Sequence, residues 1–429
     1  MMRDELKISL RSLNFRRKQY VSLFLVCVFG VGVSIFSLFL VNGMIKSLEY
    51  KAKIYYGGDF QFIGGDAGLT LRNYENLIKE LEDVFPEGTI ITDRYDLDAK
   101  NASFYFEGNG VRQRVIKGVH FDKEVKLFTA FNYTEGNIEN CICEDKNIIM
   151  LSEPIAKTLQ AHVGDEITFY IKNSWGQIDT RQVVVKAIFK DSSLFGMYTS
   201  YTDIDFLKDV YKYPVDCVNR ICINLPKSPG ERITKVYQKE LEKKFQMYSL
   251  VSDKKDFYDQ LYKIPMPTYA LIKLSANLQD VQILIDAMAA ISTFVIIMLV
   301  IIIVAGVSST YRVIVMKRIN EIGIYKAIGM KRQNISIMLL LETAFIVILG
   351  CIMGFLFALI LCKVSGLFNL SFIPAFDIFL VGGKLKPVIS MGYTMLISCT
   401  VIVTTLVAVW FAIKKSVEIT PCEALATTE

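Results

Sequence analysis

The sequence predicts an α+β membrane protein in which four transmembrane helices carry one large extracytoplasmic mixed α+β domain, inserted between the first and second helices. The 429-residue chain is 52% hydrophobic, whereas soluble domains average roughly 45–50%. The excess lies in four runs without Asp, Glu, Lys or Arg, each long enough to cross a ~30 Å hydrocarbon core as a helix. Four buried helices of a soluble core are the alternative, but such a core has little reason to exclude charge for so long. The runs are residues 20–44, 287–311, 343–362 and 387–413.

The basic residues predict the orientation of these helices. Six lysines and arginines precede the first run and six lie in residues 312–333, but only three lie in residues 363–386. The positive-inside rule therefore places both termini and the 312–333 segment in the cytoplasm. The net charge of +5 is spread beside the membrane runs rather than gathered in one patch, which argues against a nucleic-acid partner.

These observations predict nine segments in the chain. Residues 1–19 carry Leu6, Leu10 and Leu13 at helical spacing among basic residues, which favours an amphipathic entry helix over an irregular basic flank. The first run is longer than the roughly 7–15 residues of a signal-peptide core and has no small-x-small cleavage site, so we expect a retained anchor. The remaining segments are transmembrane helices at 20–44, 281–311, 334–362 and 387–413, an extracytoplasmic domain with stalk ends at 45–280, a cytoplasmic loop or helix at 312–333, an outer loop at 363–386 and a cytoplasmic tail at 414–429.

Residues 45–280 alternate between helical and strand-like patterns, which predicts a mixed α+β domain rather than a linker. Residues 271–286 keep a helical pattern, so we expect a stalk there, with residues 42–53 as its partner. The stalk either carries movement from the bilayer or acts as a rigid pedestal. The predicted strands are 102–106, 111–116, 147–151, 166–171, 181–189 and 218–225, and the predicted helices are 71–84, 152–159, 203–211 and 228–248.

Few side chains are suited to redox, metal or catalytic chemistry. His120 and His162 are the only histidines, and neither has metal-ligand spacing or a nucleophile motif nearby, so we expect no metal site and no catalytic residue. The external cysteines either form a disulfide or remain free thiols, although neighbours one residue apart make a poor bridge. Of the nine cysteines, the external ones are Cys141, Cys143, Cys217 and Cys222.

The segment between the second and third membrane helices is the most informative. In residues 311–330, charged positions alternate with apolar ones, and Gly323 and Gly329 allow a bend or a close backbone approach. Such a segment lies at the membrane surface, and its other face is either open to a partner or simply solvated.

This segment resembles the cytoplasmic loop of the MacB/FtsX-like permeases, the type VII ABC transporter superfamily. The family pattern is a basic pair, then Glu-Ile-Gly, then Lys-Ala-Ile-Gly. Further similarities are the basic entry helix around Leu10, Glu342 early in the third membrane helix, the terminal motif 421–425, and residues 151–167, which look like the family's periplasmic core domain. The residues that match the loop pattern are Lys317, Arg318, Glu321, Ile322, Gly323, Lys326, Ala327, Ile328 and Gly329.

The resemblance implies a permease subunit of the bacterial inner membrane that works as a dimer, with a second copy or a paralogue, above two ABC ATPase subunits. Closure of the ATPases on nucleotide would move the external domains, a mechanism called mechanotransmission, and the matching loop residues would form the contact. The chain contains no Gly-x-x-x-x-Gly-Lys-Ser/Thr motif. We therefore expect this chain to bind no cofactor, and a separate ATPase to use ATP and Mg.

Four helices around one large external domain are closest to the lipoprotein-releasing, Lol-type branch of the family. That branch passes lipoproteins or other amphipathic substrates to a periplasmic chaperone through a protruding hairpin. The candidate hairpin lies in residues 190–201, and an ordinary turn is the alternative. Its candidate docking residues are Leu194, Phe195, Met197 and Tyr198.

Smaller signals concern helix packing. Gly350 and Gly354 form a Gly-x-x-x-Gly motif that permits close helix contact, within the chain or between subunits. Glu342 either reaches the membrane interface or pairs within the helix bundle. Two other functions are compatible with the same family: an FtsX-like regulator of an envelope hydrolase, and an efflux permease for a drug, peptide or haem.

Overall fold

A computed structural model of the chain describes residues 17–66, 69–191, 195–251, 253–260, 267–370, 373 and 376–416. Most of the predicted entry helix at 1–19 and of the tail at 414–429 lies outside the described residues. The chain divides into two compact units. The helical unit is drawn from Met1–Met44, Ile285–Phe368 and Leu385–Glu429, and the α/β unit from Ile45–Leu284 and Asn369–Lys384.

Helices in the described residues are numbered in chain order. They are α1 Arg17–Tyr56, α2 Tyr74–Glu82, α3 Val125–Phe128, α4 Glu153–Leu159, α5 Ile204–Tyr211, α6 Glu231–Lys244, α7 Lys254–Gln260, α8 Leu274–Asn277, α9 Gln279–Lys317, α10 Ile319–Ala327, α11 Arg332–Ser365 and α12 Met391–Ser416. Four of them, α1, α9, α11 and α12, are long and apolar enough to cross a membrane. This agrees with the four predicted spans.

The helices extend beyond the spans predicted from hydropathy. The first helix continues past residue 44 to Tyr56, and α9 begins at Gln279 and continues past residue 311 to Lys317. The fourth is shorter at its start, because α12 begins at Met391 rather than at residue 387. Hydropathy marks the apolar part of a helix, whereas backbone hydrogen bonding continues through polar turns as long as no breaker intervenes.

In the helical unit, α1 packs through one face. Its fully buried side chains recur every four residues, which places them on one side of a helix with 3.6 residues per turn. They form one apolar cluster with residues of α9, α11 and α12. The residues at this four-residue spacing are Leu23, Cys27, Val31, Ile35 and Phe39, and Tyr20 and Ser34 are buried as well.

The Gly-x-x-x-Gly motif of α11 packs against α1 of the same chain. A Cβ atom on Gly350 would lie 2.6 Å from the Cβ of Cys27, and one on Gly354 would lie 3.0 Å from the carbonyl oxygen of Val28. Only a missing side chain allows this approach. The close contact therefore lies within the chain.

The α/β unit contains fourteen strands among the described residues. They are β1 Phe60–Gly65, β2 Leu71–Arg72, β3 Ile90–Asp98, β4 Ala102–Phe106, β5 Asn109–Arg112, β6 Val115–Val119, β7 Tyr133–Gly136, β8 Ile148–Ser152, β9 Glu166–Lys172, β10 Ile178–Phe189, β11 Thr199–Asp203, β12 Cys217–Val218, β13 Arg220–Asn224 and β14 Thr268–Lys273. Twelve of them form one mixed sheet in the order β14-β1-β13-β3-β6-β11-β8-β10-β9-β4-β5, with β7 beside β10. The pairs β6–β11 and β8–β10 are parallel.

The largest apolar cluster lies between this sheet and helices α2, α4 and α5. It includes Phe104 and Phe169 from neighbouring strands, and Leu81, Leu159 and Leu207 from the three helices. A mixed α+β unit with its own core is what the sequence predicts for this part of the chain.

Part of the predicted stalk is a strand instead. Residues 271–273 belong to β14, α8 follows, and a long helix begins only at Gln279. The reason is that β14 pairs with β1 over six residue pairs, a contact between segments about 200 residues apart that local periodicity does not reveal. The prediction of a helix over 271–286 was therefore wrong at residues 271–273, and the helix is interrupted at residue 278.

The outer loop belongs in part to the α/β unit. Residues 369–384 cluster with that unit, and the side chain of Leu380 is fully buried there. Gly382 and Gly383 have φ values of +61° and +75°, which suit glycine and turn the chain back toward Lys384.

Candidate functional site

The predicted cytoplasmic segment at 312–333 is almost entirely helical. The last turns of α9 run to Lys317, α10 covers Ile319–Ala327, and α11 begins at Arg332. Gly329 has a φ of +92° and makes the turn between α10 and α11. Gly323 lies inside α10 and is buried, so of the two predicted roles, a bend or a close backbone approach, it does not make the bend.

The residues of the family pattern divide into an exposed and a buried set. Lys317, Ala327 and Gly329 are exposed, while Glu321 and Lys326 are half-buried. The apolar side chain of Ile328 is 78% exposed and that of Ile324 is 49% exposed. We call the set Lys317, Ile324, Lys326, Ala327, Ile328 and Gly329 the loop surface.

The remaining residues of the pattern face the protein interior. Arg318, Ile322 and Gly323 are buried. They were predicted to contact an ATPase directly, but their side chains are not accessible to a partner in this structure. Arg318 and Ile322 instead pack into the helical unit, where Ile322 joins the same apolar cluster as α1.

Arg318 forms a buried ion pair with Glu342. The distance from Arg318 Nη1 to Glu342 Oε2 is 2.5 Å, and the two side chains are 2% and 0% exposed. Tyr20 completes the cluster, since its hydroxyl donates to Glu342 Oε2 at 2.8 Å and accepts from Arg318 Nη1 at 2.9 Å. Arg318 Nε also lies 3.3 Å from Glu321 Oε2. We call Tyr20, Arg318 and Glu342 the buried ion-pair cluster.

This cluster connects three helices. Tyr20 lies on α1, Glu342 on α11, and Arg318 immediately before α10. A buried charge is tolerated only when it is paired and hydrogen-bonded, so the three groups must keep this geometry. The start of α10 is therefore fixed to the helical core. Of the two alternatives for Glu342, the structure shows pairing within the helix bundle. No motif or spacing in the sequence indicated that Tyr20 takes part in this cluster.

A second polar cluster lies inside the α/β unit, at the C-terminal end of α1. The last carbonyl groups of a helix lack partners within the helix. Here Arg94 Nη1 donates to the carbonyl oxygens of Ile54 and Tyr55 at 3.1 Å each, and Gln61 Nε2 donates to that of Tyr56 at 2.8 Å. A cation at this position also suits the negative end of the helix dipole.

The charge of Arg94 is neutralised by Glu124. Both side chains are fully buried, and Arg94 Nε donates to Glu124 Oε1 at 2.9 Å. Thr92 Oγ1 donates to the same oxygen at 2.9 Å. The end of α1 therefore sits on a fully buried and fully paired cation.

Gln61 links the end of α1 to the chain just before α9. Its Oε1 accepts a hydrogen bond from Asn277 Nδ2 at 3.0 Å and one from Arg220 Nη1 at 3.2 Å. Asn277 is the last residue of α8, and α9 begins two residues later. One glutamine side chain thus links the end of α1 to the residue two positions before α9. We call the set Arg94, Gln61, Glu124 and Asn277 the helix-end joint.

Lys117 and Asp96 form a buried ion pair beside the joint. Lys117 Nζ lies 2.7 Å from Asp96 Oδ2 and 4.0 Å from the centre of the Tyr55 ring. Burial lowers the pKa of Lys117 to about 8, although Asp96 opposes that shift. Burial raises the pKa of Asp96, but Lys117 and Arg220 outweigh it and lower that pKa to about 2.

The candidate docking hairpin differs from the expectation. Leu194 lies outside the described residues. Phe195 is 5% exposed and packs against Tyr55 and Tyr56, with ring centres 5.5 Å and 6.1 Å apart. It is therefore part of the interior and does not lie on a protruding hairpin. Met197 and Tyr198 are exposed, at 41% and 45%.

All four cysteines of the predicted external domain lie in the described residues. Cys141, Cys143, Cys217 and Cys222 are free thiols. No group of three or more His, Cys, Asp or Glu side chains among the described residues is placed to hold a metal ion.

Four apolar helices and a separate mixed α/β unit define this chain as a multi-pass membrane protein. Residues 292–421 match the family described as FtsX-like permease C-terminal, a range that includes all of α10 and its loop surface. The match covers less than half of the chain, and it agrees with the resemblance of the cytoplasmic motif to the MacB/FtsX-like permeases.

Among solved structures, the periplasmic region of MacB from Actinobacillus actinomycetemcomitans is similar, with 10% sequence identity, 54% of this chain and 95% of that chain covered, and a TM-score of 0.33. A similarity this low supports no conclusion about function. A comparison with curated proteins found no match.

Proposed function

We propose that this chain is the membrane subunit of an ATP-driven transporter that transmits motion from ATPases on the cytoplasmic side to its α/β unit, and that its substrate is a lipoprotein or another lipidated, amphipathic molecule. The observation that carries the proposal is the hydrogen bonding at the end of α1 and next to the start of α9. Helices α1 and α9 each contain residues of both units without a break, and the helix-end joint fixes the end of α1 and the start of α9 with buried hydrogen bonds.

The loop surface is the proposed ATPase contact. It combines exposed apolar side chains, Ile324 and Ile328, with the basic side chains of Lys317 and Lys326. An exposed apolar patch with a polar rim is typical of a protein contact. Permeases of this family typically work with separate ABC ATPase subunits. Two such subunits would bind and hydrolyse ATP with Mg. The buried ion-pair cluster would transmit their movement from α10 to α1 and α11.

Helix α9 supports both the dimer and the substrate class. In its most apolar window 17% of the residues are buried, against 33% in each of the other three spans. Its apolar side chains, such as Ile291, Phe294 and Ile302, are therefore left uncovered within the chain. In the proposal, a second copy or a paralogue covers part of this surface, and the acyl chains of a substrate contact the rest. The protein lies in the bacterial inner membrane with both termini in the cytoplasm. A periplasmic chaperone would accept the released substrate.

The ATPase contact is tested with one substitution and one matched control. Ile328→Glu places a carboxylate at the centre of the loop surface, and Val215→Glu does the same at an equally exposed apolar position of the α/β unit, since both side chains are 78% exposed. Because a buried unpaired charge at a contact costs several kcal/mol, we expect Ile328→Glu to reduce the ATPase recovered by affinity purification at least about tenfold, and Val215→Glu to leave it unchanged. Equal recovery with both variants would contradict the proposed contact.

The substrate class is tested in membranes that hold the complete complex. We expect ATP to release radiolabelled lipoprotein from spheroplasts to an added periplasmic extract, and a hydrolysis-deficient ATPase to leave that lipoprotein in the membrane. Normal release with the deficient ATPase would contradict the proposal. Recovery of an envelope hydrolase without lipidated cargo would instead indicate a regulatory transmitter.

A further inference from the structure

A cavity of about 220 Å³ lies within the α/β unit next to the helix-end joint. The last residues of α1, Tyr55 and Tyr56, form one side, and Asn277 and Val281 form another. The cavity is thus bounded by the end of one long helix and the start of the other. Any ligand in it contacts both.

The wall of the cavity is mostly aromatic and apolar. It is lined by Tyr55, Phe195, Met197 and Tyr198, and the last two are exposed to solvent. Aromatic rings and the flexible thioether of methionine suit an apolar side chain of variable shape. A volume near 220 Å³ is below the roughly 300–1,000 Å³ of sites for drug-sized molecules. It has room for about one large side chain and its backbone.

Two polar groups of the cavity lack partners in the described residues. Asn277 is 2% exposed, and its Oδ1 accepts no hydrogen bond from any described residue, although its Nδ2 donates to Gln61. Arg114 is exposed at the cavity and forms no ion pair with a described residue. A buried acceptor without a donor costs free energy that a suitable ligand would recover.

We propose that this cavity binds a short extracytoplasmic peptide in which an apolar, preferably aromatic, side chain lies beside a carboxylate. The apolar side chain fills the space between Tyr55, Phe195 and Met197. The carboxylate pairs with Arg114, and a peptide N–H donates to Asn277 Oδ1. Binding there would report the presence of a peptide to the ends of α1 and α9.

The binding test uses the purified full-length chain in detergent without any ATPase. Its outcome is therefore independent of the proposed ATP-driven function. The probes are acetyl-Gly-Phe with a free C-terminal carboxylate, its C-terminal amide, and acetyl-Gly-Phe-Asp-amide, with binding followed by saturation-transfer NMR. A hydrogen bond to a charged group is stronger than one between neutral groups, so we expect at least one of the acidic peptides to bind about tenfold or more tightly than the neutral amide. Comparison of the two acidic probes distinguishes a peptide C-terminus from an internal acidic residue.

Two variants assign the binding to this cavity. Arg114→Gln is expected to abolish the preference for the carboxylate, whereas Arg112→Gln, an exposed arginine on β5 outside the cavity, is expected to keep it. Thermal unfolding of both variants checks that they remain folded. A benzophenone analogue of the phenylalanine probe is expected to label Met197 on irradiation. Absence of binding at millimolar concentration, equal binding of acid and amide, or an unchanged preference in Arg114→Gln would overturn the proposal.

Discussion

Replacing Glu342 with glutamine isolates the energetic role of the buried ion-pair cluster. The substitution keeps the shape of the side chain but removes its charge, so Arg318, which is 2% exposed, keeps a positive charge without its main counter-ion. Breaking a buried pair in this way costs roughly 3–5 kcal/mol. Glu321 remains 3.3 Å from Arg318 Nε, but its carboxylate is 31% exposed, so it recovers about 1 kcal/mol or less. We therefore expect a loss near 3 kcal/mol in the free energy of unfolding.

The assay is unfolding of the purified chain in mixed micelles with increasing SDS, followed by circular dichroism. Glu321→Gln is the control, and because this carboxylate is partly exposed we expect it to cost less than about 1 kcal/mol. The double variant Arg318→Met with Glu342→Met removes both charges, and we expect its stability to return to within about 1 kcal/mol of the original chain. A cost below about 1 kcal/mol for Glu342→Gln, or a double variant no more stable than the single one, would refute the reasoning.

Three further predictions concern the joint, the ion pair beside it and the helix contact. Gln61→Leu removes the buried hydrogen bonds from Gln61 Nε2 to Tyr56 O and from Asn277 Nδ2 to Gln61 Oε1. We therefore expect the free energy of unfolding of the α/β unit to fall by about 2–3 kcal/mol, while Gln182→Leu, at an exposed glutamine, has little effect. Equal effects of the two variants in urea denaturation would contradict the joint. The pKa of Asp96 is lowered from 3.8 to about 2. The ionised carboxylate therefore contributes fully to the free energy of unfolding above pH 3.8, and this contribution is lost as the pH falls through about 2. Between pH 5 and pH 2, we expect the original chain to lose about 2 kcal/mol more stability than Asp96→Asn. Gly350→Ala places a methyl group 2.6 Å from Cys27 Cβ, and we expect it to lower the free energy of unfolding in SDS by about 1–3 kcal/mol. Gly392→Ala is the control, because nothing lies within 4 Å of its added methyl group, and we expect it to leave the stability unchanged or slightly higher. No loss of stability in Gly350→Ala would argue against close packing of α1 and α11.

The fold was largely predictable because its strongest determinants are local. Four long uncharged apolar runs favour membrane-spanning helices over the buried helices of a soluble core. The strand at 102–106 alternates buried and exposed positions and occurs where expected, as β4. The strands β1, β3 and β14 were missed because Gly64, Gly65 and the charges of β3 obscure the pattern, and because their partners lie far away in the sequence.

The site was predictable only in outline. The family pattern identified the segment around α10 but did not show that Arg318 points inward, because its neighbour Lys317 has the same charge and is exposed. The direction of each side chain depends on the helix break at Arg318, which tertiary packing with Tyr20 and Glu342 decides. Phe195 shows the same limit. Its apolar neighbours suggested a surface for docking, whereas Tyr55 and Tyr56, about 140 residues earlier in the chain, bury it.

The central claim is that nucleotide-driven movement at α10 reaches the helix-end joint. Hydrogen–deuterium exchange of the full complex, reconstituted with its ATPase, measures this directly, with and without ATP in the presence of a hydrolysis-deficient ATPase. The account predicts that ATP changes amide exchange in residues 319–331 and also in residues 57–61 and 274–281 of the α/β unit. A change confined to residues 319–331, with the joint unaltered, would contradict it.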